Sequence, residues 1–488
     1  MSLPPPTPPE SLARLRERFG ENYRWRVLLT VMIGTMASIM ASTIVNVAVP
    51  DISHRFALGQ ERAQWLSAGF MAAMTVSMLV TPWLLDRFGY RGSYLGAVGA
   101  LMLGGIGGGL GMSFEWVLAM RVLEGLAAGV LQPIPAIIVL HAFQRHEQGK
   151  AMGLFGFGVV LAPAIGPSIG GVLVEWFGWR SIFFVVVPFC AVAMGLAWRY
   201  LPHSSPGGTA VNHHRRRLDV PSLALLTVAV LALLNGLVHL HDAAPLPALV
   251  LLAVAVGTGI VFVLRQRHSA HPILRLPLFA HRSFSMGGWV AFIYGMALFG
   301  STYLVPVFMQ LALKLPPSQA GAVLLPAGIV LAVTIPLAGR LADRLPVSRV
   351  VAAGVLLLAA SFWLMLTVGA GTALVLITLW AVVGRIGLGL VLPSLNLGAM
   401  RGLPPELISH GSSTINFLRQ LGGAVGISVV GIVLQWRLSV HADAPLRGFH
   451  ETFGLLGAIS ALAVVAAWRM SPRRPDGALR NPGAAAPK

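Results

Sequence analysis

The stretches LLDRFGYR (84–91) and LADRLPVSR (341–349) decide the reading of this chain. Each follows an apolar run of helical length, and each sets an Asp-Arg pair, Asp86-Arg87 or Asp343-Arg344, just after it, 257 residues apart. Charged side chains are costly in hydrocarbon, so each pair marks a point where the chain leaves an apolar layer. Their recurrence in the same context indicates a chain built twice.

Working outward, the runs around these stretches fill the sequence. A helix needs about 20 apolar residues to cross a bilayer core. Fourteen segments qualify, at 27–50, 64–85, 92–112, 115–141, 150–173, 180–200, 219–240, 246–265, 284–308, 318–339, 350–369, 371–399, 409–434 and 452–469. Composition agrees: 56% of residues are hydrophobic, 11% are charged and the mean hydropathy is +0.76. A soluble chain would carry roughly 25% charge. The expected fold class is therefore an all-α integral membrane protein.

The formal charge of +18 could suggest nucleic-acid binding, but its distribution argues otherwise. With both termini placed in the cytoplasm, 26 of the 35 Lys and Arg residues fall in cytoplasmic segments, six in periplasmic segments and three inside helices. This is the asymmetry of the positive-inside rule, and the opposite orientation would violate it. The one cysteine, Cys190, can form neither an internal disulfide nor a thiolate metal site. The start, MSLPPPTPPE, reads as a Pro-rich tail, and SLARLRERFG after it as a basic segment suited to a membrane surface.

Both Asp-Arg pairs fall on the cytoplasmic side, and six spans precede the loop at 201–218 while six follow the loop at 266–283. The two between look like an inserted hairpin. The organisation is a tail (1–26), a six-helix bundle (27–200), loops with the hairpin (201–283), a second six-helix bundle (284–470) and a tail (471–488). Repeated halves about an axis along the membrane normal are a feature of transporters.

With these motifs in place, the chain resembles the fourteen-helix drug:proton antiporters of the major facilitator superfamily, the EmrB/QacA type. The first helix carries TIVNVAVP (43–50), the 2–3 loop carries Asp86, Arg87, Gly89 and Arg91, and the fourth helix carries RVLEGLAAG (121–129). The fifth carries GPSIGG (166–171), with Gly166, Pro167, Gly170 and Gly171 similar to the antiporter helix motif. WFGWRSIFFVVVP (176–188), YLVP (303–306), Arg385 and RQLGG (419–423) extend the likeness to nearly the whole chain. It implies the major facilitator fold, alternating access through a cavity between the halves, and no catalytic residues, cofactor or metal. Relatives often work with a periplasmic adaptor and an outer-membrane channel, and the short periplasmic loops suit such partners. The implied location is a bacterial inner membrane. Three positions depart from the pattern: Ala41 replaces the usual first-helix aspartate, Glu124 replaces glutamine, and Pro82 replaces the opening glycine of the gating motif.

Of the seventeen acids, sixteen lie in tails, loops or helix ends, and only Glu124 lies deep in a span. Arg121 is three residues away on the same helical face. A pair that switches between an ion pair and a neutral acid is what proton coupling requires; a static ion pair is the alternative. Arg121, Arg385 and Arg419 are the three deep cations, suited either to electron-rich substrates or to bonding helix carbonyls. Asn46, Asn396, Asn416 and Gln420 either line the substrate cavity with Arg385 and Arg419 or bond across helices. Asp86-Arg87 with Arg91, and Asp343-Arg344, read as a charge latch implied by the resemblance, or as ordinary loop anchors.

Other patterns dissolve in this setting. Gly166-Pro-Ser168-Ile-Gly170 fits GxSxG, but inside an apolar helix rather than a strand-turn-helix elbow. GGIGGGLG (104–111) lies in the third span, where small residues allow close packing. There is no GxxxxGK for direct ATP use. Three functions stay in play: proton-coupled export of small amphipathic compounds, export or flipping of one endogenous metabolite or lipid, and a membrane sensor or scaffold.

Overall fold

The computed structural model describes residues 12–204, 217–241, 246–369 and 371–470, apart from the side chains of a few residues within them. The tails expected at 1–11 and 471–488 lie outside the described residues. A short helix α1 (Leu12–Phe19) leads into α2 (Tyr23–Arg55), α3 (Gln60–Ser77), α4 (Thr81–Leu110), α5 (Phe114–Leu131), α6 (Ile134–Ala142), α7 (Gln148–Phe177), α8 (Ser181–Phe184) and α9 (Val186–Tyr200). A peripheral pair follows, α10 (Val220–Val238) and α11 (Leu246–His268). The remaining long helices are α12 (Arg282–Val307), α13 (Pro317–Arg344), α14 (Val347–Leu364), α15 (Leu374–Met400), α16 (Ile408–Val440) and α17 (Pro445–Arg469). No strand occurs among the described residues.

Local chemistry sets several boundaries. Ser113 caps α5 by accepting the Trp116 N–H at 3.3 Å, with Glu115 in the first turn where a helix dipole favours an acid. The expected fourth span breaks into α5 and α6 at Gln132-Pro133, because a proline supplies no N–H to continue the ladder. Asp219 caps α10: its carboxylate accepts the Ser222 N–H at 3.2 Å and the Ser222 hydroxyl at 2.6 Å. It also takes the Ser269 hydroxyl at 2.9 Å and Arg265 at 3.2 Å from the far end of the pair. Burial works to raise the Asp219 pKa, but these four donors outweigh it and hold the carboxyl below its usual range.

The long helices form two bundles. In the first, α2 packs on α7 and α9, while α3 and α4 flank α5. In the second, α12 packs on α16 and α17, α15 on α13 and α14, and α14 on α17. The halves meet chiefly where α7 lies along α13, and again where α16 reaches α3 and α4. Helices α10 and α11 pack on each other, and α10 packs on the bundles at α3 and α16. Outward-facing Val250, Val256, Ile260 and Val261 leave most of α11 uncovered.

Twelve stretches among the described residues are long and apolar enough to cross a membrane, against the fourteen expected. Two features make the difference. Arg62–Leu110 runs as one 49-residue helical stretch, interrupted by the non-helical Gly89. In α7 the apolar stretch Gln148–Ala162 stops where side chains lie outside the described residues, although the helix itself continues to Phe177.

The α7–α13 seam depends on two glycines. Gly149 and Gly339 face each other so closely that a Cβ on either would run into the other's carbonyl oxygen. A side chain there must push the helices apart, and overpacking of this kind costs about 1–3 kcal/mol. Gly339→Leu is accordingly expected to lower the thermal unfolding midpoint of the purified protein by several degrees, whereas Gly257→Leu, with nothing near its Cβ position, leaves it unchanged.

Candidate functional site

Inside the first bundle, α5 carries Arg121 and Glu124, one helical turn apart. Arg121 Nη1 donates to Glu124 Oε2 at 2.6 Å, and each side chain is 1% exposed. Arg121 Nη1 also reaches the Ala41 carbonyl on α2 at 3.1 Å, and its Nε reaches the Leu66 carbonyl on α3 at 3.3 Å. Its guanidinium lies 4.3 Å from the centre of the Phe70 ring. The arginine thus ties three helices, and its Nη2 makes no hydrogen bond.

Room for Glu124 comes from α4. A Cβ at Gly104 would strike the Glu124 Cγ at 2.5 Å, and one at Gly105 would sit 3.5 Å from Oε1. One turn on, Gly108 and Gly109 accept the rings of Phe183 and Phe184. The run GGIGGGLG was legible as a packing signal; that it houses the one deep acid depends on which helix faces it.

A second polar group spans the two halves. Arg419 on α16 donates through Nη2 to Asn416 Oδ1 at 3.0 Å and to Gln132 Oε1, beyond the end of α5, at 3.5 Å. Gln420 faces Met71 Sδ of α3 at 3.6 Å, and the Ser412 hydroxyl donates to the Pro133 carbonyl at 3.0 Å. Sequence reasoning missed Gln132 and Met71: Gln132 sits beside Pro133 at the break between α5 and α6, and a thioether reads as an apolar side chain.

The other polar candidates are dispersed. Arg385 on α15 lies inside the second bundle, lining a small cavity with Ser301 and Ser361 and with no hydrogen bond to the described residues. Asn396 donates to the Leu392 carbonyl of its own helix at 3.1 Å, leaving its Oδ1 buried without a partner. Asn46 is exposed near the other end of α2 and accepts the Ser67 hydroxyl at 2.7 Å. The structure therefore brings Asn416, Arg419 and Gln420 together, sets Arg385 and Arg419 both within electrostatic reach of the buried Tyr294, and gives Asn46 and Asn396 no hydrogen bond to that group among the described residues.

The two Asp-Arg stretches take different partners. The Asp343 carboxylate accepts the Gly149 N–H at 2.6 Å and the Lys150 N–H at 2.8 Å, so an acid of one half caps the first turn of α7 in the other. Free N–H groups and the dipole favour an anion there. In the first copy, Gly89 has φ +71°, and a Cβ there would meet the His203 carbonyl, which instead accepts the Tyr90 N–H at 3.1 Å. Arg91 donates to the Leu201 carbonyl at 2.5 Å, so this copy is braced within its own half. Asp86 lines a small cavity with Asp219, His271 and His410, between the base of the α10–α11 pair and the start of α16. Arg87 and Arg344 are exposed.

On α7, a Cβ at Gly166 would lie 3.0 Å from Thr43 Oγ1, and one at Gly170 would lie 2.6 Å from Ile44 Cγ1. The antiporter helix motif thus packs on the first-helix motif. Gly171 has open space beside it, and the side chain of Pro167 lies outside the described residues.

Paired bundles with buried charge and no strands define a class, the multi-pass membrane transporter. The shape matches the solved proton:xylose symporter XylE with a TM-score of 0.67 at 14% identity, covering 93% of this chain and 97% of that one. The sequence matches the family model of the Major Facilitator Superfamily over residues 31–427, and the chain belongs to that superfamily of transporters, which are not enzymes. It is 30% identical over 425 residues to the multidrug resistance protein Stp of Mycobacterium tuberculosis, covering 86% of this chain and 78% of that protein. It is 28% identical over 453 residues to the tetracenomycin C resistance and export protein of Streptomyces glaucescens, covering 90% and 82%.

Two outcomes follow from the charges. Glu124→Gln leaves a buried arginine without its counter-ion, which costs about 3–5 kcal/mol, whereas replacing Arg121 and Glu124 together by leucine costs less than the single change. Thermal unfolding of the purified single and double variants checks the order. Asp343→Ala removes both acceptor oxygens from the α7 cap, a loss of about 0.5–2 kcal/mol. The open fraction on that side is then expected to rise by roughly twofold to thirtyfold, read as faster labelling of a cysteine placed between α7 and α13 in a Cys190→Ala background.

Proposed function

We propose that this protein is a proton-coupled exporter of small amphipathic compounds working by alternating access, with Glu124 as the proton-coupling acid and Arg121 as its partner. The observation that carries the proposal is the deep Arg121–Glu124 pair, the single deep acid held 2.6 Å from a deep arginine. Resistance and export proteins among the relatives supply the direction and the substrate class. Arg121 bonds the backbone of Ala41, the position of the usual first-helix aspartate, so the counter-charge has moved from α2 to α5. With both groups sealed at 1% exposure, proton exchange belongs to another state of the cycle.

The finer architecture belongs to the same proposal. A straight helix of 49 residues would measure about 74 Å, more than twice the ~30 Å hydrocarbon core, so Arg62–Leu110 is read as two crossings that turn at Gly89. With α7 as a further crossing, fourteen result: two six-helix halves, 27–200 and 284–470, and the α10–α11 hairpin between them within 201–283. This is the plan of the fourteen-helix antiporter branch. The arginine-rich face is assigned to the cytoplasm, with both termini there, in a bacterial inner membrane. Asp343 on α7 closes that face, while Asn46 is exposed toward the other, which suits an outward-facing state. Asp86, Arg87, Gly89, Arg91, Asp343 and Arg344 then form the gate, and Asn416, Arg419 and Gln420, with Asn46, Arg385 and Asn396, contribute to the pathway. The periplasmic loops are short, Phe56–Gly59 and Gly111–Ser113 among them, so an adaptor leading to an outer-membrane channel would dock on a rim of helix ends.

The test is growth of a pump-deficient bacterium on acidic, neutral and cationic toxic compounds. Wild type is expected to protect, Glu124→Gln to abolish protection at equal membrane abundance, and Ala41→Asp in the Glu124→Gln background to restore part of it. Unchanged resistance in Glu124→Gln would remove Glu124 as the coupling acid. No protection by wild type against any compound would favour a dedicated endogenous metabolite or lipid.

A further inference from the structure

The basic segment near the start of the chain does more than add charge. Helix α1 buries Leu15 against the protein, and Phe19 stacks on Tyr23 at 5.5 Å and meets Tyr200 edge-on at 5.7 Å. Arg26 holds the Phe19 carbonyl at 2.9 Å, Gly20 turns the chain at φ +87°, and the Tyr23 hydroxyl donates to the Tyr200 carbonyl at 2.9 Å. These contacts clamp α1 across the ends of α2 and α9. Beside it, the Gly89 turn is pinned to residues 201 and 203 by the Tyr90 N–H and by Arg91. Between the two lies a cavity of about 840 Å³, within the roughly 300–1,000 Å³ typical of small-molecule sites.

Four guanidinium groups line this cavity, Arg18, Arg87, Arg91 and Arg199, with His203 beside them, and no carboxylate among the described residues does. Arg91 is partly committed to the Leu201 carbonyl. Arg18 and Arg199 rest on the rings of Phe19 and Tyr200, 5.1 and 5.7 Å from their centres, and neither forms a salt bridge among the described residues. At the rim, Trp198 is 71% exposed and Phe88 55% exposed. Large aromatic rings uncovered at the end of a membrane helix sit at the headgroup level of a bilayer. The cavity thus joins a lipid-facing aromatic edge to a cationic floor, and its excess positive charge calls for an anion.

We propose that this cavity is a binding site for the headgroup phosphate of an anionic glycerophospholipid, held by Arg18, Arg87, Arg91 and Arg199 while its acyl chains lie along Phe88 and Trp198. Guanidinium groups match phosphate oxygens in pairs, and basic pockets at helix ends are suited to anionic headgroups. The site shares Arg87 and Arg91 with the proposed gate, but binding there does not require the proposed export activity; only the leaflet concerned rests on the orientation given above.

Native mass spectrometry of the purified full-length chain, titrated with dioctanoyl phosphatidylglycerol, dioctanoyl phosphatidylcholine or inorganic phosphate, tests this. Phosphatidylglycerol is expected to bind and phosphatidylcholine not to compete. Arg18→Gln with Arg199→Gln, both outside the gate, should weaken binding roughly thirtyfold, about fivefold per basic residue, while the paired Lys variants stay within a few-fold of wild type. If the double Gln variant fails to fold, the single Arg199→Gln, at an exposed side chain, carries the test with roughly a fivefold loss. Equal binding of phosphatidylcholine, or undiminished binding by the Gln variant, overturns the site. Inorganic phosphate displacing the lipid at matched concentration would assign the cavity to a soluble phosphate instead.

Discussion

A polar group within the hydrocarbon layer has no water to turn to, and most of this architecture answers that constraint. Unsatisfied backbone groups cost several kcal/mol each, so the chain crosses as helices and breaks them only where protein covers the gap. Gln132-Pro133 interrupts α5 and α6 where Arg419 and Ser412 of the opposite half supply donors to the Gln132 side chain and the Pro133 carbonyl. Arg121 and Glu124 satisfy much of each other's requirement, and the carbonyls of Ala41 and Leu66 supply more. One ion pair therefore does structural duty for three helices and, in the proposed mechanism, carries the proton.

The same constraint distinguishes how the halves meet from how each is held together. Where α7 meets α13, the contact is made by glycine backbone and by one carboxylate on two N–H groups. Such a cap is modest in energy, about 0.5–2 kcal/mol, and both partners lie near a membrane surface where water can replace them. The Arg121–Glu124 pair, deep inside one half, has no such replacement. Strong interactions thus hold each bundle together while a weaker one joins them, the distribution that rocking halves require.

The repeated Asp-Arg stretches show how alike sequences diverge in context. Asp343 reaches across to the other half, whereas Asp86 sits beside the base of the α10–α11 pair and the start of α16. The pair packs through α10 on α3 and α16, beside the first junction. Its own base is fastened by Asp219, which takes donors from both ends of the hairpin. This residue was placed at a helix end by its charge, but its role as a tie depends on Ser269 and Arg265 returning to it some fifty residues later.

What the sequence alone determined follows from local and additive quantities. Apolar runs locate the helices, which needs no knowledge of which helix is whose neighbour; the proposed orientation and duplication rest on the Lys and Arg tally and on the two Asp-Arg stretches. The Arg121–Glu124 contact was also readable, since three residues of helix set its geometry. Only the tertiary structure decided the rest. It alone shows that Gly104 and Gly105 make room for Glu124, that Ala41 gives Arg121 its backbone rather than an acid, and that Arg385 and Arg419 both lie within electrostatic reach of Tyr294 while Asn396 bonds its own helix. Those facts depend on contacts between segments tens to hundreds of residues apart, and hydrophobicity, which every membrane helix shares, does not distinguish one neighbour from another.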